Sequence, residues 1–523
     1  MPSVPVSPAF LCRRFPMSIF RFRLWLSGLL LWTLTARADV TLAPLFRDGA
    51  VLQQGKPVPV WGHAAAGEKI TVTFGDQSIG ATTGADGRWT VVLAPLAAST
   101  LGADLVARGQ NLVTIHDVVV GEVWLCSGQS NMEWPVERAQ EAAKEIAAAH
   151  FPLIRQIQIE QTVADTPRET AGGEWQAASP ATVGKFTAVG YFFARDLFQK
   201  LGVPIGIIHS SWGGTPVEAW LSPAALASQP AFQVVGERWR ENLAGYPANK
   251  AAYDAWTKAE AAAQAQGAAA HSAWLKRQPR PRAPRGPGDP WTPTGLFNGM
   301  INPLLPYALR GVLWYQGESN SERAGEYRAL FAALITYWRA HFGQGDFPFY
   351  WVSLANYKMP GDPTGMAFAC LREAQAQTLA LPNTGQALAI DIGNPDSIHP
   401  TNKQEVGRRL ALIAKAKIYH IPCDWSGPMF AGATPERGAM RVRFAHDEGG
   451  LVAHNRPVQS LEVAGADRKF HPAQGRIEGA TLVVSAREVP APVAVRYAWK
   501  NAPEANLCNG AGLPAAPFRS DNW

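Results

Sequence analysis

The chain has 523 residues, 47% of them hydrophobic and 17% charged, which is the composition of a globular protein of two or three domains. Its formal net charge of +6 includes the five arginines of residues 1–38, and +6 minus 5 leaves +1 for the remainder. The remainder is nearly neutral and lacks the positive charge typical of nucleic-acid-binding proteins, so we expect no nucleic-acid partner.

Residues 1–38 have the pattern of a secretory signal peptide. Arginines precede an apolar segment over residues 24–34, which is too short to span a bilayer comfortably, and Ala36-Arg37-Ala38 forms an A-x-A cleavage site. We therefore predict cleavage after Ala38, a secreted or periplasmic protein, and no stable membrane association of the mature chain. An uncleaved membrane anchor is the alternative interpretation.

Residues 39–117 predict an N-terminal β-domain with a sandwich-like arrangement. Short segments rich in β-forming residues are separated by Gly, Asp and Pro turns at a spacing typical of sandwiches. Residues 426–523 show the same character and predict a second small β-domain at the C-terminus.

Between these domains, residues 118–425 predict an α/β domain. Apolar strand-like segments alternate with helical ones, which is typical of a parallel sheet covered on both faces. The predicted strands are 118–126, 205–209, 311–315, 347–354 and 386–392, and the predicted helices are 136–149, 190–200, 323–342, 367–380 and 402–418.

Residues 222–294 interrupt this alternation. An Ala-rich helical stretch over about 250–276 leads into a segment rich in Pro and Arg over residues 277–288, which predicts an extended surface linker. Two interpretations of this insertion stay open, a lid over a site or a solvated spacer.

The four cysteines after residue 38 are widely scattered, with no C-x-x-C pair and no zinc-ligand spacing. No G-x-G-x-x-G follows a predicted strand, and there is no Walker loop. We therefore expect no metal and no cofactor. One long-range disulfide is compatible with the pattern, and the sequence does not select its members among Cys126, Cys370, Cys423 and Cys508.

Polar, Gly-rich or ionisable segments follow four of the five predicted strands. In open parallel sheets, ligands bind beyond the carboxyl ends of the strands, so these segments are expected to meet at one edge. They are Ser130 after the first strand, residues 210–215 after the second, residues 316–320 after the third, and Asp396 with His399 after the last.

A serine, an imidazole and a carboxylate at one sheet edge are the components of a serine hydrolase. We predict that Ser130 is the nucleophile and that His399 is its general base. Asp396 would fix the imidazole tautomer and stabilise the imidazolium as it forms.

The oxyanion that develops in such a reaction needs preorganised N–H donors. The Ser130 backbone N–H is the first candidate, and the N–H of Gly213 or Gly214, free of obstruction by a Cβ, is the second. The side-chain amide of Gln316 or Asn320 is the third.

Other residues at this edge leave alternatives open. Glu318 is a candidate for substrate binding or for orienting its own loop, and with Asp391 it is also a candidate carboxylate pair of a glycosidase, which needs a defined carboxyl separation. Trp134 and Trp212 follow strand ends and are candidates for walls that face an acetyl group or a sugar. His209 ends a predicted strand, and we interpret it as structural.

Four segments in this order resemble the sequence blocks of the sialate O-acetylesterase family, a branch of the SGNH hydrolases. They are residues 128–132 (Gly-Gln-Ser-Asn-Met), 210–220, 314–320 (Trp-Tyr-Gln-Gly-Glu-Ser-Asn) and 391–400 (Asp-Ile-Gly-Asn-Pro-Asp-Ser-Ile-His-Pro). The resemblance extends to residues 295–300 and to the tail over 512–519, so it covers nearly the whole chain after residue 38.

The resemblance implies a flavodoxin-like SGNH hydrolase domain flanked by β-domains, no metal, and hydrolysis of acetyl esters on sugars. Ser130, Asp396 and His399 match the family's triad residue by residue. The chain departs from many SGNH enzymes in its third block, where Gln-Gly-Glu-Ser-Asn replaces Gly-x-Asn-Asp. We favour Gln316 over Asn320 as the oxyanion amide because it comes first after the strand.

The predicted function is therefore that of a carbohydrate O-acetylesterase whose partner is an acetylated mono- or oligosaccharide. An acetylesterase for xylan or another plant glycan is an alternative of the same class. A non-catalytic glycan-binding protein, suggested by the β-domains and the nineteen tryptophans, is an alternative of another class. The oligomeric state is not predicted.

Overall fold

The structure, a computed structural model, describes residues 39–523. The predicted signal peptide and its cleavage site lie outside the described residues, so both stay predictions. Over the described part of the chain, no helix combines the length and the apolar character that crossing a membrane requires. The four cysteines of this part are free thiols.

The N-terminal part consists of β-strands that join two sheets. Strands β1, β3 and β6 form an antiparallel sheet, and strands β4, β5 and β7 pair with one another and with the first half of β8. The strands are β1 Thr41–Leu42, β2 Val51–Gln53, β3 Val58–His63, β4 Lys69–Phe74, β5 Gln77–Thr82, β6 Arg88–Leu93, β7 Ser99–Arg108 and β8 Leu112–Gly128.

Strand β8 continues from the N-terminal part into the central sheet. Its first half pairs with β7 and its second half pairs in parallel with β11 and β12, so one strand of 17 residues passes the predicted domain boundary at 117/118 without a break. The division of the chain into domains stays a prediction.

The central sheet is mixed, with strand order β10-β9-β11-β8-β12-β13-β14. All neighbours in it are parallel except β10, which is antiparallel at the edge. Strands β9 and β10 were not among the predicted ones, and the last strand runs over Thr384–Ala387, so only residues 386–387 of the strand predicted over 386–392 lie in it. The strands are β9 Phe151–Gln158, β10 Trp175–Ala178, β11 Ile205–Ser211, β12 Gly311–Tyr315, β13 Phe349–Val352 and β14 Thr384–Ala387.

Helices cover both faces of this sheet. The single helix predicted over 136–149 is wrong, because Glu141 adopts a left-handed φ of 52° and separates a 3-10 turn from a short helix. The helices are α1 Ser130–Glu133, α2 Ala142–Ala147, α3 Ala188–Leu201, α4 Pro223–Leu226, α5 Gln233–Gln264, α6 Ala268–Arg277, α7 Ala324–Phe342, α8 Ala367–Gln377 and α9 Lys403–Lys417.

The C-terminal part is again built of β-strands, around a hydrophobic cluster that includes Val442, Val463 and Leu482. Two four-stranded sheets have the orders β15-β16-β21-β20 and β19-β18-β22-β24. The strands are β15 Met429–Glu436, β16 Ala439–Ala445, β17 Leu451–Val452, β18 Leu461–Ala464, β19 Phe470–Pro472, β20 Gln474–Glu478, β21 Thr481–Ser485, β22 Ala494–Tyr497, β23 Cys508–Asn509 and β24 Phe518–Arg519.

The central sheet is buried by hydrophobic clusters on both faces. Trp314 of β12 packs with helix α7 on one face, and Trp124 of β8 packs with helix α3 on the other. With Trp351 of β13, these tryptophans are fully buried and form part of the core. Two covered faces leave the carboxyl-terminal edge of the strands as the place where polar side chains can gather.

Replacing Trp314 by alanine is expected to lower the free energy of unfolding by about 3–5 kcal/mol, because the cavity left among Trp220, Phe331 and Trp338 cannot collapse. Denaturant titration measures this loss. Trp523→Ala, at a tryptophan that is 40% exposed, is the control and should change stability by less than about 0.5 kcal/mol. A loss of under about 1 kcal/mol for Trp314→Ala would contradict this account of the core.

Candidate active site

The nucleophile candidate sits directly after the central strand of the sheet. Strand β8 ends at Gly128, which has a φ of 135°, and a Cβ at this position would lie 2.2 Å from the carbonyl oxygen of Tyr315 on β12. Only glycine allows the two strands to approach this closely. Residue 129 then turns the chain so that Ser130 begins helix α1 above the sheet edge.

Ser130 and His399 meet, as the sequence predicts for a nucleophile and its base. His399 Nε2 lies 2.8 Å from Ser130 Oγ, across 269 residues of sequence. The imidazole also stacks on Trp134, with ring centroids 5.0 Å apart and ring planes 24° apart. The stacked indole limits the rotation of the imidazole and so orients it toward Ser130.

This pair opens into a cleft of about 460 Å³. Trp134 lines it, as predicted for a substrate wall, and so do Glu133 and Arg138, which sequence reasoning missed. Glu133 lies three residues after Ser130, a spacing that places both on one side of a helical turn and could have indicated it. Trp212, the other predicted wall, does not line this cleft and packs instead against the hydrophobic cluster on the α7 side of the sheet.

A buried polar network holds the nucleophile helix to the loop that carries the base. Asn131 Nδ2 donates to Glu318 Oε1 at 2.6 Å and to the backbone carbonyl of Ile398 at 3.0 Å. Lys403 Nζ, from the first turn of α9, donates to Asn131 Oδ1 at 2.5 Å. The Asn131 amide therefore connects the nucleophile helix to the residue before His399 and to the side chains of Glu318 and Lys403.

The charges of this network act on the base. Burial lowers the pKa of His399, and the nearby Lys403 ammonium lowers it further. Burial also lowers the pKa of Lys403 to about 7 and raises the pKa of Glu318. His399 is therefore held in its neutral form, which is the form a general base requires.

We expect Lys403→Met to move the acidic limb of the kcat/KM profile to higher pH. Activity falls as pH drops through the pKa of His399, because only the neutral imidazole accepts the proton of Ser130. Removing the ammonium raises this pKa, so the loss begins at a higher pH. Esterase assays over a pH series measure the shift, with Lys417→Met on the same helix as control. If the acidic limb of the kcat/KM profile stays at the same pH in Lys403→Met, the charge of Lys403 does not affect the pKa of His399.

Asp396 is not brought to His399 in this structure. Its carboxylate accepts from Lys358 Nζ at 2.7 Å and its side chain is 76% exposed. The Asp396 N–H donates to Asn394 Oδ1, so the residue lies at the corner of a tight turn that presents its side chain outward. Its predicted role as the orienting carboxylate stays a prediction.

The backbone donors predicted for the oxyanion differ in their availability. The N–H of Gly213 donates to Glu133 Oε2 at 2.6 Å. Gly214 has a left-handed φ of 73°, and its carbonyl accepts from Trp291 Nε1 at 2.7 Å, which fixes the loop. Ser130 lies at the start of α1, beside this loop, since a Cβ on Gly213 would lie 3.3 Å from the Ser130 Cβ.

The two candidate amides lie in a buried network of their own. Gln316 Nε2 donates to the Thr215 carbonyl at 3.1 Å and to Asn320 Oδ1 at 2.8 Å, which uses both of its hydrogens. Asn320 Nδ2 donates to the buried carboxylate of Glu218 at 2.7 Å. In this arrangement the amides connect the segments after β11 and β12 to each other.

A second serine–histidine pair lies on β11, where His209 contributes to the wall of the same cleft although both side chains are almost fully enclosed. His209 Nε2 is 2.6 Å from Ser211 Oγ, and the two residues are only 2% and 4% exposed. Burial lowers the pKa of His209 to about 4, so this imidazole stays neutral. The interpretation of His209 as a structural residue fits this enclosure.

The two carboxylates considered for a glycosidase, Asp391 and Glu318, are each bound by other residues. Both oxygens of Asp391 are bound by the Arg409 guanidinium, at 2.6 and 2.7 Å. Glu318 is buried against Asn131. The two carboxylates therefore serve different networks.

Comparisons with known proteins identify relatives of this chain. A family model described as a carbohydrate esterase, sialic acid-specific acetylesterase, matches residues 263–415. The sialate O-acetylesterase of Rattus norvegicus is 30% identical over 94% of this chain and 97% of its own, and that of Homo sapiens is 28% identical over 94% of each. The crystal structure of a carbohydrate acetylesterase from Xanthomonas citri covers 93% of this chain and 100% of its own, with 40% identity and a TM-score of 0.79.

Proposed function

The chain belongs to the sialate O-acetylesterase family and is a carboxylic ester hydrolase, and on that premise we propose that it deacetylates carbohydrates through an acetyl-enzyme formed on Ser130. The observation that carries the proposal is the contact of 2.8 Å between Ser130 Oγ and His399 Nε2 at the floor of an open cleft. Because the chain belongs to a family of ester hydrolases, we propose neither a glycosidase nor a non-catalytic binding protein.

In the acylation step, Ser130 Oγ attacks the carbonyl carbon of the acetyl ester while its proton passes to His399 Nε2. The tetrahedral intermediate collapses when the bond to the sugar oxygen breaks, and that oxygen takes the proton from His399. Deacylation repeats the sequence with water as the nucleophile, which releases acetate and restores Ser130. In each half His399 accepts one proton, from Ser130 and then from water, and passes it on, to the sugar oxygen and then to Ser130, so the imidazole ends each half neutral.

The oxyanion of this intermediate is proposed to bind the N–H groups of Ser130 and Gly214. Gly213 becomes a further donor when the Glu133 carboxylate moves away from it. Gln316 is then proposed to support the loop, because both of its amide hydrogens are engaged, with Thr215 and with Asn320. Asn320 gives one amide hydrogen to Glu218, and its second one leaves it a candidate donor.

Asp396 is proposed to complete a Ser-His-Asp mechanism in the reacting complex. Its partner in this structure, Lys358, is 63% exposed at the side chain, and an exposed ion pair contributes only about 0–1 kcal/mol. Exchange of this pair for a hydrogen bond to the developing imidazolium of His399 is therefore energetically accessible.

The arrangement of the domains is part of the proposal. We propose that residues 118–425 form a flavodoxin-like SGNH domain, with sandwich-like β-domains over 39–117 and 426–523, and that the chain is secreted or periplasmic. The parallel core of the central sheet supports the first point, since its strands carry the site at their carboxyl ends.

The identity of the sugar separates two candidates, sialic acid and an acetylated plant glycan such as xylan. Release of acetate from acetylated sialic acid, acetylated xylan and p-nitrophenyl acetate tests both. Turnover of at least one acetylated carbohydrate supports the proposal, and the ratio of kcat/KM values names the preferred class. Turnover of none of the esters would contradict it.

A further inference from the structure

The insertion over residues 222–294 folds as a long helical hairpin whose surface is polar. Helix α5 has 32 residues, of which only Val235 and Ala263 are buried. A helix that is polar on all sides is not held by a hydrophobic core. Yet α5 carries Tyr253 and Trp256, half-buried aromatic side chains in an otherwise exposed stretch.

These aromatic residues line a groove of about 1050 Å³. Helix α5 forms one wall, the Pro- and Arg-rich segment over 278–291 forms a second, and the segment after β12 over 318–323 forms a third. Ligand sites for small molecules measure about 300–1,000 Å³, so this groove has room for a chain of sugar units.

Two hydrogen bonds link the walls of the groove to the residues of the catalytic site. Trp291 lines it and donates from Nε1 to the carbonyl of Gly214 at 2.7 Å, on the loop proposed to bind the oxyanion. Glu318 also lines it and accepts from Asn131, the neighbour of the nucleophile, at 2.6 Å. A molecule lying in the groove would therefore contact side chains that are one hydrogen bond away from the oxyanion loop and from the nucleophile helix, although the groove and the cleft at Ser130 share no lining residue.

The charges that line the groove are already balanced. Arg282 pairs with Glu322 at 3.1 Å and Arg323 pairs with Glu218 at 2.8 Å, while Arg285 lies over the ring of Trp291 at 4.3 Å. Paired guanidinium and carboxylate groups offer many donors and acceptors but little net field for an anion. Together with aromatic faces, they suit the hydroxyl groups and apolar C–H faces of neutral sugars.

We propose that this groove binds the glycan chain on which the acetyl group sits, as a subsite for neutral sugar units beyond the acetylated one. The insertion is then a substrate-binding element, and neither the lid nor the solvated spacer describes it. This inference rests on the proposed function, because the groove has no use for a chain unless the acetyl ester on it is cleaved at Ser130.

The test compares substrates of increasing length in the full protein. Acetylated xylo- and cello-oligosaccharides of one to about six units are assayed beside p-nitrophenyl acetate, which has no sugar to place in the groove. We expect kcat/KM, normalised to p-nitrophenyl acetate, to rise with chain length. We expect Tyr253→Ala with Trp256→Ala to reduce this rise about tenfold or more. Trp256→Phe, which keeps an aromatic face, should retain most of it, and Trp523→Ala is the remote control.

Affinity gives a second readout that does not depend on turnover. Calorimetry with the unacetylated oligosaccharides and the Ser130→Ala protein should detect binding that Tyr253→Ala with Trp256→Ala weakens about tenfold. Thermal melting of each variant checks that the hairpin stays folded.

Two results would overturn the proposal that the groove binds the glycan chain. One is a normalised kcat/KM that does not depend on chain length for either the xylo- or the cello-oligosaccharides. The other is a dependence on chain length that the aromatic variants leave intact. Failure of the wild type on p-nitrophenyl acetate would instead count against the proposed function, while binding of the unacetylated chains would still support the groove.

Discussion

Replacing Ser130 by alanine is expected to reduce kcat/KM for acetate release by about 10³ or more, with little change in stability. Ser130 Oγ is the atom that His399 Nε2 contacts at 2.8 Å, and alanine removes the only oxygen that can carry the acetyl group at this position. The residual rate would reflect binding and oxyanion stabilisation alone.

The structure offers a matched control for this experiment on the neighbouring strand. Ser211 also contacts an imidazole, that of His209, at 2.6 Å, but this pair is buried. Ser211→Ala should therefore keep activity within about tenfold of wild type. A serine-directed phosphonate should add to Ser130, detectable by mass spectrometry of the peptide. Full activity in Ser130→Ala, or labelling of Ser211 instead, would refute the assignment of the nucleophile.

Replacing Asp396 by asparagine is expected to reduce kcat by up to about 10⁴, the effect seen when an orienting carboxylate is replaced by its amide in a serine protease triad. The reason is that an amide cannot stabilise the imidazolium of His399. The effect should appear in kcat, since Asp396 has no contact with the acetyl group in the proposed mechanism.

Lys358→Ala tests how Asp396 takes up this role. Because Lys358 holds the carboxylate at 2.7 Å in the free protein, its loss should leave activity intact or raise it slightly. If Asp396→Asn retains more than about half of wild-type activity, His399 is oriented by its stacking on Trp134 alone, and the site functions as a Ser-His dyad.

The strands that carry the site could be predicted from the sequence, because buried parallel strands are apolar runs that end abruptly in polar segments. Strand β12 is found at the predicted residues 311–315, and strand β11 begins at the predicted residue 205. The polar residues that follow them gather at one edge for the same reason. Ser130 and His399 meet although β12 and β13 lie between β8 and β14, so the segment between β14 and α9 has to carry His399 back across the sheet edge.

The break in the helix predicted over 136–149 and the strands β9 and β10 could not be predicted in this way. Local composition favours a helix around residue 141, but the N–H of Gln140 donates to the carbonyl of Thr401, and the chain turns there. Strand β10 forms by antiparallel pairing with β9, and no local pattern within β10 specifies that partner.

The roles of polar side chains divide along the same line. Residue type and spacing are sufficient to nominate a nucleophile, a base and a family, since the chemistry requires these groups and a parallel sheet gathers the residues that follow its strands at one edge. Which donor each carboxylate binds depends on contacts between segments far apart in the chain. Lys403 reaches Asn131 and Lys358 reaches Asp396 only after folding, and no local pattern specifies either contact. The amino-acid sequence thus determines the reaction type, whereas packing decides the charge on the base and the place where a glycan can lie.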